Sequence, residues 1–202
     1  MFLTHPMELR KEKHGTGRLA HLSLPNSVIL DGVDFSRDPR VGKLIADPML
    51  DCRLIYPGPS ALNLSREAYD PGAGKTPVLF LIDATWPCAR KILKLSANVR
   101  ALPRIGFDPA GASEFHIKHQ PDPICLSTIE TVHRVLGYLD ASGLEKFDAR
   151  DRHRLLQPFR TMIETQIAYA EDPTIPSYRS RRGYRCPSER RPSRKHQRRP
   201  VL

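Results

Sequence analysis

Five consecutive apolar residues, Val78-Leu79-Phe80-Leu81-Ile82, run without a break into Asp83. A strand with one wet face alternates polar and apolar side chains, so an unbroken run of this kind suits a strand covered on both faces of a mostly parallel sheet. The rest of the chain agrees. Short apolar or β-branched runs predict strands at Met1–His5, Ser27–Leu30, Cys52–Tyr56, Pro77–Ile82, Ala101–Phe107 and Phe115–Lys118. Between them the periodicity turns helical. After Trp86, apolar or small residues fall at 89, 92, 93 and 96, with Pro87 acceptable in a first turn. A second helix is expected from about Thr128 to Leu139, and a last one to about Ala170, in which Pro158 predicts a kink or a fresh start. Strands alternating with helices predict an α/β fold: a mostly parallel sheet with flanking helices.

Charge divides the chain more sharply than hydropathy does. Of a formal net charge of +10, the segment Arg179 to Leu202 carries ten Lys or Arg against Glu189 alone, which leaves the rest nearly neutral. The expected organisation is therefore one folded domain over residues 1–178 and a basic tail over 179–202. That tail holds almost nothing apolar, so it cannot offset the entropy of ordering and is expected to be disordered when free. Arg181, Arg182 and Arg185 are its candidate RNA contacts, gripping phosphates by displacing counterions. A merely solvated terminus is the other reading. No apolar run approaches the roughly 18 residues of a membrane span and no signal peptide is evident, so no membrane partner and a cytoplasmic address are expected.

Several tempting motifs fail on spacing. The cysteines at 52, 88, 125 and 186 form no C-x-x-C pair and read as small buried apolar residues. Histidines 5, 14, 116, 119 and 133 make no recognised ligand set, so no metal is expected. Asp70-Pro71-Gly72-Ala73-Gly74-Lys75-Thr76 resembles a phosphate loop, but its glycines are too close and a strand follows it where a helix should. It reads as a surface turn.

Chemistry concentrates at two strand ends. Ligands of open α/β sheets bind outside the carboxyl ends of strands, where helices begin and free N–H groups point outward. Asp83, Thr85 and Trp86 occupy one such end; Ser127, Thr128 and Glu130 occupy another. Helix capping alone accounts for Asp83 or Thr85, and the S-x-x-E capping box accounts for Ser127 and Glu130. Together, two helix starts facing one crevice would make a pocket for a carboxylate or phosphate.

These residues carry a resemblance. Asp83-Ala84-Thr85-Trp86 looks like the D-x-T-W signature of the DTW-domain family, and Leu126-Ser127-Thr128-Ile129-Glu130 looks like its second signature. Leu3-Thr4-His5-Pro6-x-Glu8 with Gly15 to Ala20 is similar to its first block. The resemblance implies a tRNA-uridine aminocarboxypropyltransferase related to the SPOUT α/β-knot enzymes. Such an enzyme moves the 3-amino-3-carboxypropyl group of S-adenosylmethionine, its co-substrate, onto N3 of a uridine in tRNA. Asp83 is then expected as the general base, since N3 is a poor nucleophile until its proton is lost. Thr85 and Trp86 are expected to contact the donor, Trp86 by stacking on adenine, flipped base or sulfonium. Ser127 and Thr128 would hold the donor carboxylate and Glu130 its ammonium group, with Leu102, Pro103 and Ile124 to Leu126 as adenine contacts by position. Lys118 and Arg90 are expected to touch RNA.

Two departures from the family pattern bear on these expectations. Members commonly carry a cysteine-rich zinc-binding segment before the first block, and this chain begins inside that block. The usual Tyr-x-x-Arg stretch is here Phe115-His116-Ile117-Lys118, which keeps the charge but loses the bidentate fork. The same residue types would also suit a SPOUT-like RNA methyltransferase, an rRNA aminocarboxypropyltransferase, or a non-catalytic RNA-binding module.

Overall fold

The computed structural model of the chain describes residues 1–11, 15–108, 111–118, 122 and 124–172. Its frame is a six-stranded sheet in which every pairing is parallel. The strands are β1 (Phe2–Thr4), β2 (Ile29–Asp31), β3 (Leu50–Ile55), β4 (Leu62–Asn63), β5 (Thr76–Asp83) and β6 (Arg104–Gly106), in the order β2-β1-β5-β3-β6-β4. The apolar run that opens the chain's logic is thus β5, the longest strand, flanked by β1 and β3. Register sets Thr4 of β1 beside Asp83 on one side and beside Asp31 on the other.

Helices complete the layers: α1 (Pro6–Lys11), α2 (Thr16–Leu22), α3 (Pro39–Ala46), α4 (Trp86–Leu95), α5 (Ala97–Arg100), α6 (Thr128–Ala141) and α7 (Ala149–Glu171). Because side chains alternate along a strand, β5 feeds two cores. Phe80 and Ile82 enter a cluster with Leu3, Leu54, Ile92 and Val99, while Leu79 packs against a second one holding Ile105, Val135 and Leu139. Helix starts are chemically marked. Asp38 accepts from the N–H groups of Arg40 and Val41 ahead of Pro39, and Pro87 occupies the first turn of α4.

The expected elements mostly appear, with four differences. Phe115–Lys118 is a turn rather than a strand: Phe115 is spent on an edge-to-face contact with Phe159 at 5.3 Å, which anchors a loop. The strand expected over Ala101–Phe107 shrinks to β6, because Ala101 closes the short helix α5. Helix α7 runs through Pro158 as one element. Helices α1 to α3 and the two-residue β4 have no counterpart among the expected elements. The Gly72–Gly74 stretch is the turn expected, with both glycines at positive φ and Gly72 N–H donating to Asp70 Oδ1 at 2.7 Å.

The chain divides into two compact units, Met1–Ile163 and Glu164–Leu202. The boundary expected at 178/179, and with it Arg181, Arg182 and Arg185, lies outside the described residues. No helix among the described residues is long and apolar enough to cross a membrane.

Candidate active site

A cavity of about 450 Å³ opens at the carboxyl ends of β3, β4, β5 and β6, within the roughly 300–1,000 Å³ range of small-molecule sites. Its apolar wall comes from the strands themselves, with Ile55, Leu81, Ile82 and Ile105 at their ends. The start of α4 adds Trp86 and Ala89, and the approach to α6 adds Ile124, Cys125, Leu126, Thr128 and Thr131. Residues from the two signature segments, far apart in sequence, therefore share one wall of space.

Aromatic and polar groups ring this apolar floor. Trp86, the only tryptophan, is half-buried and meets Tyr56 edge to face at 6.0 Å. Arg104 lies over the Tyr56 ring at 5.4 Å and its Nη1 donates to the Pro57 carbonyl at 3.3 Å. Burial raises the Tyr56 phenol above its ordinary pKa, while the charges of Arg90 and Arg104 pull the other way. On the β4–β6 side, Asn63 Nδ2 donates to Asp108 Oδ1 at 2.8 Å and Arg66 Nε to Oδ2 at 3.0 Å. The Asn63 and then the Arg66 hydrogen bond hold Asp108 ionised below its ordinary range. Asn63 and Asp108 line the cavity and offer it a fixed pair of hydrogen-bonding groups.

Asp83 stands at the end of β5, behind Thr128, and is not itself part of this lining. Its side chain is buried, and its Oδ1 accepts from the Thr128 hydroxyl at 2.7 Å. The Gly17 backbone also hydrogen-bonds the carboxylate, at an approach so close that a Cβ on Gly17 would lie 2.3 Å from Asp83 Cγ. Only glycine fits there. Burial, chiefly, raises the Asp83 pKa; the Thr128 hydrogen bond opposes it, the Glu8 charge adds to it, and the Lys118 charge and Gly17 bond oppose it. Glu8 Oε2 and Lys118 Nζ form a pair at 3.7 Å on this flank.

The remaining expected residues separate into several jobs. Glu130 is buried and fully engaged: Oε1 accepts from the Glu114 N–H at 2.7 Å, and Oε2 from Ser113 Oγ, Ser127 N–H and Ser127 Oγ at 2.6–2.8 Å. It clasps the loop before α6 to the helix start, and does not line the cavity. Ser127 spends its hydroxyl on that clasp and does not line the cavity. Leu102 is in the core among Val99 and Leu54, and Pro103 is exposed, its carbonyl accepting from the Leu54 N–H at 2.9 Å. Thr85 is exposed and makes no side-chain cap bond. Arg90 is exposed on α4.

Sequence reading missed the β3–β4 side altogether, including Tyr56, Gly58 and Asn63, and the β6 end with Phe107 and Asp108. The signal was present, since the strands Cys52–Tyr56 and Ala101–Phe107 were expected and their carboxyl ends obey the same rule as that of β5. Cys125 is half-buried on the cavity wall with Ile124 and Leu126, while Cys52 is buried. Among the described residues, no group of three or more His, Cys, Asp or Glu side chains is placed to hold a metal ion.

Comparison with known proteins bears on this geometry. The DTW domain matches residues 1–167. The chain is 32% identical over 114 residues to the tRNA-uridine aminocarboxypropyltransferase 2 of Drosophila melanogaster, covering 56% of this chain and 42% of that protein. The proteins of the same name from Mus musculus and Macaca fascicularis are 26% and 25% identical over 116 residues, covering 57% of this chain and 37% of each. The chain thus spans less than half the length of these curated relatives. No solved structure matches it.

Proposed function

The chain belongs to the DTW domain family, and on that footing we propose that it transfers the 3-amino-3-carboxypropyl group of S-adenosylmethionine to N3 of a uridine in tRNA, releasing methylthioadenosine. The observation that carries this reading is that Trp86 and Thr128, one from each signature segment, line a single cavity at the strand ends of a parallel sheet.

The cavity's chemistry suits such a donor. Its volume admits a nucleoside, and its apolar strand ends suit a purine face. Trp86 supplies an aromatic face for a sulfonium, worth roughly 0.5–2 kcal/mol as a cation–π contact. The hydrogen-bonded pair Asn63 and Asp108 offers an acceptor and a donor suited to ribose hydroxyls. The transferred group leaves with loss of a positive charge at sulfur, so a buried carboxylate close to the acceptor favours the products: its negative charge is cancelled in the same step. Asp83 is that carboxylate, and burial makes it a better base than an exposed aspartate. Arg90 and Arg104, beside the Tyr56–Trp86 pair, combine cations with aromatic faces as single-stranded RNA contacts do. Lys118 and, by sequence alone, Arg181, Arg182 and Arg185 are further RNA contacts in this reading.

Incubation with unmodified tRNA and donor labelled in its carboxyl carbon tests the proposal. Label in RNA, with methylthioadenosine released one for one, is the expected result. Label entering RNA only from the methyl carbon makes the chain a methyltransferase, and RNA affinity with no donor binding makes it a binding module.

A further inference from the structure

Asp83 and the cavity are separated by one hydroxyl group. Thr128 lines the cavity, and its Oγ1 donates to Asp83 Oδ1 at 2.7 Å. The carboxylate itself is not part of the lining. It is enclosed instead on the β1 side, where the Gly17 backbone closes over it and Thr4, its registered neighbour, is buried with it. Paired residues on parallel strands point to the same face, and Thr4 Oγ1 is buried with no hydrogen-bond partner among the described residues. Among the described residues, the charged groups acting on the carboxylate are Glu8 from α1 and Lys118 from the loop before α6; His5 is buried next along the chain from Thr4, its backbone N–H donating to the Asp83 carbonyl at 3.1 Å.

We propose that Thr128 is the group that touches the acceptor uridine, and that it relays the N3 proton to Asp83. The inference rests on the transferase reading above. As N3 bonds to the carbon of the aminocarboxypropyl group attached to sulfur, the carbon–sulfur bond breaks and its electron pair stays on sulfur, giving neutral methylthioadenosine. The N3 proton moves to Thr128 Oγ1 while the Thr128 proton moves to Asp83 Oδ1. After the products leave, the relay runs backwards: Asp83 returns its proton to Thr128 Oγ1 as the Thr128 hydroxyl proton passes to water in the cavity, which leaves the Thr128 O–H pointing at Asp83 again. The sulfonium and the carboxylate lose their charges together, so no net charge is left stranded in a poorly solvated site. The geometry already holds the second half of the relay: a short, charge-assisted O–H···O⁻ bond aimed from cavity wall to carboxylate. Enclosure of Asp83 also keeps bulk water from competing for that bond.

A purely structural Thr128, pinning the start of α6 to the end of β5, makes different predictions. In the relay, Thr128→Val keeps the shape but lowers kcat by about 10²–10⁴-fold, the usual yield of positioned proton transfer, with donor KM within about threefold. Thr128→Ser restores most of the rate. The rise of kcat with pH that reports Asp83 ionisation is present in wild type and Thr128→Ser and lost in Thr128→Val. Should valine fold poorly, Thr128→Ala gives the same comparison against serine. Thr128→Val with a near wild-type kcat and an unchanged pH profile overturns the relay, as does a serine variant no faster than valine. Absence of transfer by wild type, by contrast, strikes the transferase reading itself.

Discussion

The two helix starts that meet at the cavity are built to opposite plans. At α4, Thr85 is exposed and caps nothing, and the next residue lays a large aromatic side chain on the cavity wall. At α6, Ser127 and Glu130 lock the first turn to the preceding loop, and the next residue, Thr128, spends its hydroxyl on a buried carboxylate. One start presents a surface, and the other holds a hydrogen-bond line in place. In the reading proposed above, the uncapped start serves recognition and the capped one serves proton chemistry. Rigidity is needed where a proton must move over ångström distances; a stacking face tolerates more freedom.

Breaking the buried side should have the largest effect. Asp83→Asn is expected to lower kcat for transfer by about 10²–10⁴-fold with donor affinity nearly intact; equal loss of both would assign Asp83 a structural role. The same variant has a signature in stability. The folded pKa of Asp83 is raised, chiefly by burial, so between its unfolded and folded values the folded chain binds more protons than the unfolded one. Stability therefore falls as pH rises through that window, and Asp83→Asn should lose this component of the slope. Urea unfolding of both proteins from about pH 4 to 8 reads the difference.

The clasp comes next. Glu130→Ala leaves the Ser127 and Glu114 N–H groups without their carboxylate, at roughly 1–3 kcal/mol for each donor that stays buried. A Tm lower by on the order of 5–10 °C is expected for a chain of this size. If the melting curve does not move, the clasp is not what fixes α6.

On the presenting side the effects are smaller and fall on binding. Trp86→Ala should weaken the donor by about 1–3 kcal/mol, visible in calorimetry, while the melting temperature changes little. Thr85→Ala should be the mildest change, within about 0.5 kcal/mol in stability, because its side chain makes no cap bond. A large loss there would mean the two helix starts are more alike than their hydrogen bonds suggest.

The sequence made the sheet legible where burial left its mark. β5 was readable because both its faces are covered and five apolar residues in a row record that fact. Helices α1 and α2 were not, since six or seven residues offer barely two turns of periodicity and Gly15 and Gly17 weaken the pattern. Gly17 itself is explained only by tertiary contact with Asp83, 66 positions away in sequence by their numbers. At the site, Asp83, Trp86 and Thr128 were readable from residue type and position at strand ends. That Asp83 is buried behind Thr128 rather than on the cavity wall was not, because its enclosure is set by neighbours in β1 and α2. Glu130 shows the reverse lesson: the capping box gave its local role correctly, while the added bonds from Ser113 and Glu114 come from a loop whose approach no local pattern records.

Trp86 is the sole tryptophan, so its intrinsic fluorescence reports one place in the molecule and tests the central claim directly. Titration with S-adenosylmethionine should give a saturable change in that emission, retained in Asp83→Asn and abolished in Trp86→Phe, with the same affinity as calorimetry returns. Calorimetric binding of the donor with no change at Trp86 would put the nucleoside elsewhere and contradict the account.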